Sequence, residues 1–129
     1  MPPKESLYPQ DWLRIAAKDL RRAEHLLSVD DPEGAGYHLQ QAVEKYLKGY
    51  LLSRGWKLKR IHDLEVLLND ALKYEATLEQ FRSVCQKITA YFAIDRYPLP
   101  STATLTKKEV QLAMSEAEDL MGHLKAWTK

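Results

Sequence analysis

Proton transfer near neutral pH is the natural work of histidine, and this chain has four: His25, His38, His62 and His123. No two of them stand four residues apart, nor does any stand so from Cys85, so the spacing of a helical metal site is missing and no metal or cofactor is expected. His62 is followed by Asp63, but no third residue completes a triad, and no residue is assigned a catalytic role. The other chemical feature is Arg96-Tyr97-Pro98. A guanidinium offers a rigid fork of donors that suits phosphate oxygens. Arg96 follows Phe92 by four residues and so continues an apolar helical face, where partial burial is expected. Two roles are open to it. It lines a nucleotide or phosphate groove together with Lys48, His62, Asp63, Asp95 and Tyr97, or it pairs with Asp95 or Asp63 and, with Tyr97, locks the third helix onto the fourth. Asp63, at a helix start, also suits the capping of free backbone N–H groups.

Two basic features stand apart. Arg54-Gly55-Trp56-Lys57-Leu58-Lys59-Arg60 holds four bases and one aromatic with no acid. An exposed Trp56 there would stack on a nucleobase while Arg54, Lys57, Lys59 and Arg60 hold phosphates; the alternative is a tryptophan tucked onto the fold as a plug. Arg14, Lys18, Arg21, Arg22 and His25 recur at helical spacing and read as a solvated stripe, with Asp19 and Glu24 flanking it.

Five helical segments position these residues, and no period-2 strand occurs. The first spans about residues 9–29, with Trp12, Leu13, Ala16, Leu20, Ala23 and Leu27 inward. Asp30-Asp31-Pro32-Glu33-Gly34 reads as a turn. The second, about residues 35–54, turns Leu39, Ala42, Val43, Tyr46, Leu47, Tyr50 and Leu51 inward, with Gln40, Gln41, Glu44, Lys45 and Lys48 on the opposite face. Gly55 suits the left-handed stop. The third covers about residues 62–74, and the fourth about 77–95, with Phe81, Val84, Cys85, Ile88 and Phe92 on one face, which makes Cys85 a core residue. Thr106 with Glu109 opens the last, which runs to Trp127. Short connections favour antiparallel neighbours, so the expectation is an all-α, five-helix up-and-down bundle forming a single domain over residues 1–129. Tyr50, Leu52, Tyr91 and Ile94 are left over after the inward faces are assigned, which points to a two-fold homodimer interface.

A net charge of +1 argues against nucleic-acid binding by bulk charge. No apolar run approaches the ~18 residues of a membrane span, and MPPKESLYPQ lacks the apolar core of a signal peptide. One cysteine cannot form an internal disulfide, so a cytoplasmic setting is expected. No glycine-rich phosphate loop is present.

The text QQAVEKYLKGYLL at residues 40–52, HDLEVLL at 62–68 and Arg96-Tyr97-Pro98, in that order, resembles the HEPN family of small helical proteins. HEPN ribonucleases carry an arginine, four to six further residues and a histidine at the end of the fourth helix, with two such sites meeting in a dimer that cleaves RNA without metal. Arg96 matches the arginine, but Ser101, Thr102 and Ala103 fill the histidine positions. The resemblance therefore implies a dimeric binding subunit, the partner of a minimal nucleotidyltransferase in a toxin–antitoxin-like pair, binding a nucleotide or RNA. The competing readings are a metal-independent ribonuclease toxin with a degenerate site and a helical adaptor without a nucleotide ligand.

Overall fold

The computed structural model describes residues 4–94, 96–98 and 104–129. Its helices are α1 (Pro9–Ser28), α2 (Pro32–Ser53), α3 (Leu64–Leu72), α4 (Arg82–Thr89), α5 (Tyr91–Ile94) and α6 (Lys107–Trp127), with a 3-10 turn at Ala76–Phe81 leading into α4. There is no strand among the described residues. The all-α class holds, and the expected fourth helix is a broken rod: the 3-10 turn, α4 and α5 in succession.

Local chemistry sets the ends. Asp30 sits at φ 59°, and the N–H groups of Asp30 and Asp31 bond back to Leu27 and Leu26, closing α1 with a left-handed residue. The next helix begins at once. The Asp31 side chain accepts from the Gly34 N–H at 3.1 Å and Pro32 holds the first position, so the expected turn at residues 30–34 is half turn and half helix start. Gly55, at φ 88°, closes α2 in the same way, with Gly55 N–H bonded to Leu52 and Trp56 N–H to Leu51. Asp63 caps α3 through the Glu65 and Val66 N–H groups, and Thr106 caps α6 through Glu109.

Helix α2 is the axis of the molecule. It packs along α1, to which only three residues connect it, and also touches α3, α4, α5 and α6. Leu39, Leu47, Tyr50 and Leu51 are fully buried, each leucine contributing about 1.5–3 kcal/mol, while the Tyr50 hydroxyl has no hydrogen-bond partner among the described residues. At Gly36 a β-carbon would stand 2.7 Å from the Leu105 side-chain tip and 3.2 Å from the Tyr91 ring, so a larger residue there requires these side chains to shift where the start of α2 meets α5. The residues assigned to a dimer interface are used inside the chain: Tyr50 and Tyr91 are buried, and Leu52 and Ile94 pack half-buried against the core. Cys85 is likewise core, its thiol pushed up to about 12 by burial.

Candidate functional site

The expected solvent face of α2 is the interior. Gln40, Gln41, Glu44 and Lys48 are buried and Lys45 is half-buried, because α1, α3 and the linker before α3 cover the side on which they lie. Buried polar groups must be bonded, and these are. The Lys45 ammonium donates to Gln41 Oε1 at 2.9 Å, Gln41 Nε2 to Gln40 Oε1 at 2.7 Å, and Gln40 Nε2 to Glu44 Oε1 at 3.1 Å. All three bonds run the same way, from a cation through two amides to an anion, so each polarises the next. Gln40 Nε2 also reaches the His62 carbonyl at 2.9 Å and so fastens the linker to α2.

Each end of this relay is a carboxylate hub. Glu44, 4% exposed in its side chain, also accepts from Lys48 Nζ at 3.0 Å and bonds His62 Nδ1 at 2.9 Å. Asp19, 3% exposed, holds Lys45 Nζ at 2.7 Å, His38 Nδ1 at 3.1 Å and Arg22 at 3.1 Å. Burial pushes the Asp19 carboxyl up, but hydrogen bonds and charge from Lys45, with His38 and Arg22, outweigh it and hold it below the usual value.

A cavity of about 510 Å³ opens on the Glu44 end, between α1, α2 and the linker. Trp12, Ile15, Gln41, Glu44, Lys48 and His62 line it. The Trp12 indole is fixed by its Nε1, which donates to the Ser6 carbonyl at 2.7 Å, and Lys48 Nζ lies 5.6 Å from its ring centre.

Outside the cavity, His62 stacks on Phe92 at 4.7 Å with the rings 18° apart. The Arg96 guanidinium lies 5.0 Å from the same Phe92 ring and 5.8 Å from Tyr37, and donates to the Tyr37 hydroxyl at 3.1 Å. That bond and the one to Tyr97 raise its already high pKa, so it stays charged. Tyr37 in turn meets His38 edge-on at 5.2 Å. Contacts therefore form a closed circuit on one side of the bundle: Asp19, Lys45, Gln41, Gln40, Glu44, His62, Phe92, Arg96, Tyr37, His38 and back to Asp19.

Of the predicted groove, the structure joins Lys48 to His62 through Glu44, and His62 to Arg96 through Phe92. Asp63 is exposed and occupied with capping, and Tyr97 is exposed. Asp95 lies outside the described residues. The lock through Asp63 does not form: Arg96 is exposed, not partly buried, and its contacts are aromatic and on α2 and α5. A guanidinium this hydrated lies on ring faces without needing a carboxylate.

The predicted stacking surface in the linker is corrected too. Trp56 is buried, and its Nε1 donates to Asp70 at 3.0 Å, because the residue after a left-handed helix stop folds back onto the helix. Lys59 reaches the same Asp70 at 3.5 Å, and Arg54 lies over the Tyr50 ring. Lys57 remains exposed, and Arg60 lies at the cavity. The stripe on α1 is solvent-facing as expected, with Lys18, Arg21, Arg22 and His25 bordering a shallow cleft beside His38. Glu44 on a polar helical face, Trp12 and Phe92 on apolar ones, and Tyr37 are site residues that their sequence positions do not mark as such. No signal within α2 marks Glu44, which falls with Gln40, Gln41, Lys45 and Lys48 on what reads as one polar face.

Three comparisons bear on this arrangement. The HEPN domain family matches residues 9–127. The crystal structure of TT1696 from Thermus thermophilus superposes with a TM-score of 0.80 at 27% identity, covering 92% of this chain and 97% of that one. That of ST0689, an archaeal HEPN homologue, superposes at 0.76 with 22% identity, covering 95% and 98%, and supports the fold. No curated protein matches the chain.

Proposed function

The chain belongs to the HEPN domain family, and on that premise we propose that it is a cytoplasmic binding subunit which holds a phosphate of a nucleotide or RNA at Arg96 and does not itself cleave. The observation that carries this reading is the setting of Arg96. Its guanidinium is exposed, braced by Tyr37 and Phe92, and within ion-pair distance of no carboxylate among the described residues. A rigid fork braced on two ring faces and left exposed is ready for an anion. His62 lies beside it on the same Phe92 ring, with its side chain half-exposed. The absence of histidine at residues 101–103 removes the proton carrier a metal-free ribonuclease needs.

Family resemblance supports an assembly of two copies, or of this chain with a minimal nucleotidyltransferase in a toxin–antitoxin-like pair. Co-purification from the native host tests the partner, and sedimentation at micromolar concentration tests the homodimer. The site is tested by a thermal melt and a titration with RNA and nucleotide on wild type, Arg96→Lys and Arg96→Ala. Binding weakens in Arg96→Lys, which keeps charge but loses the fork, and weakens further in Arg96→Ala, with melting unchanged. Wild type that binds neither ligand, with Arg96→Ala melting far lower, leaves only a structural arginine. RNA cleavage that disappears in Arg96→Ala makes the protein an enzyme instead.

A further inference from the structure

The cavity floor holds the only pair of opposite charges among the described residues in which both side chains are nearly sealed from water: Lys48 at 3% and Glu44 at 4%. Removing two charges from water costs about as much as their attraction returns, and an apolar pair of equal size packs at least as stably. Stability alone therefore does not account for the pair, whereas a ligand that uses it does.

Part of the bonding capacity of these groups is unused. Lys48 has three donors and spends one on Glu44. Glu44 receives Gln40 and His62 on Oε1 but only Lys48 on Oε2, which keeps an acceptor position. Gln41 gives one amide hydrogen to Gln40 and keeps the other. All three line the cavity, so its floor presents donors and an acceptor together. The Trp12 indole, with its N–H already bound to Ser6, offers a face and no polar edge. Arg14 and Arg60 stand at the rim together with Glu5 and Asp11; Arg14 reaches Asp11 at 3.6 Å, whereas Arg60 has no ion pair among the described residues. A flat wall, an edge-reading floor and Arg60 at the rim suit a planar heterocycle carrying an anionic group, and about 510 Å³ lies in the range of small-molecule sites.

We propose that this cavity receives the base of a nucleotide, stacked on Trp12 with its edge on Lys48, Glu44 and Gln41. The phosphate leaves past Arg60 and His62, the side on which Arg96 lies. This deepens the nucleotide-binding reading and rests on it. His62 is the shared wall, its Nδ1 on Glu44 within and its ring on Phe92 outside.

The test follows Trp12 fluorescence and calorimetry during titration with adenosine and guanosine 5′-monophosphates, with ribose 5-phosphate as the ligand lacking a base. Wild type binds at least one of the two nucleotides with quenching, and ribose 5-phosphate produces none. Trp12→Phe abolishes the quenching and weakens calorimetric binding. Glu44→Gln/Lys48→Met, which removes both charges while keeping an acceptor for Gln40, lowers affinity roughly tenfold or more with the cooperative melt retained. Nucleotide binding that depends on Arg96 but is indifferent to Trp12→Phe and to the double variant overturns the cavity and leaves the Arg96 site standing. If neither nucleotide nor RNA binds at all, the Arg96 reading falls and takes this one with it.

Discussion

Glu44 and Asp19 are the same chemistry placed twice along one hydrogen-bonded relay, and they end differently. Asp19 meets three basic side chains that are themselves partly in water: Lys45 at 20%, His38 at 26% and Arg22 at 46% exposure. Its partners keep much of their hydration, so the hub is inexpensive and pins α1 to α2. Glu44 meets an equally buried lysine and faces a cavity. A buried carboxylate among hydrated cations is a structural clasp, whereas one that shares its burial with its cation is an arrangement that folding alone does not favour.

The largest expected effect follows from that contrast. Glu44→Ala leaves the Lys48 ammonium buried without a partner and frees Gln40 and His62, so unfolding by urea shows a loss of ~3–5 kcal/mol. Asp19→Asn leaves cations that turn to solvent, and the loss is smaller, ~1–3 kcal/mol. Equal losses at the two sites would break the comparison.

Acid separates them further. The folded-state pKa of Asp19 lies below its ordinary value, so its contribution is fully present above that ordinary carboxylate value and is lost as pH falls through it toward the folded one. Melts of wild type and Asp19→Asn between pH 6 and about pH 2.5 therefore converge in acid, the variant showing the shallower decline. Parallel curves would mean that Asp19 is not held ionised by Lys45, His38 and Arg22.

Much of the fold is written in period and punctuation: the apolar stripe of α1, the glycine that stops α2, and the Asp63 and Thr106 caps are all local, and all are present in the structure. What the sequence conceals is the depth of α2. Gln40, Glu44 and Lys48 at four-residue spacing look like a solvated row of helix pairs, and nothing within one helix tells that α1 and the linker cover them. Trp56 fails for a similar reason. Basic neighbours suggest an exposed stacking surface, while its actual partner, Asp70, lies fourteen residues on. Arg96 errs the other way: its position after Phe92 predicts an inward side chain, but the helix has ended by Ile94.

The smallest effect is the most diagnostic of how the two hubs are joined. Lys45, Gln41, Gln40 and Glu44 are linked by donors all pointing one way, and Lys45 also grips Asp19. If that relay transmits polarisation, neutralising one hub changes what the other is worth. Distant, independent sites add to within about 0.3–0.5 kcal/mol, whereas members of one network couple by more. A double-mutant cycle on Asp19→Asn and Glu44→Gln, each close to isosteric, measures the coupling without opening a cavity. We expect a coupling of about 0.5–1 kcal/mol, with the double variant less destabilised than the sum, because the second change acts on a relay already weakened. Repeating the cycle with Gln41→Leu, which cuts the relay in the middle, should bring it to additivity. Strict additivity in the presence of Gln41 would show that the clasp and the cavity floor share a helix and nothing more, and that a ligand on Glu44 is not felt at Asp19.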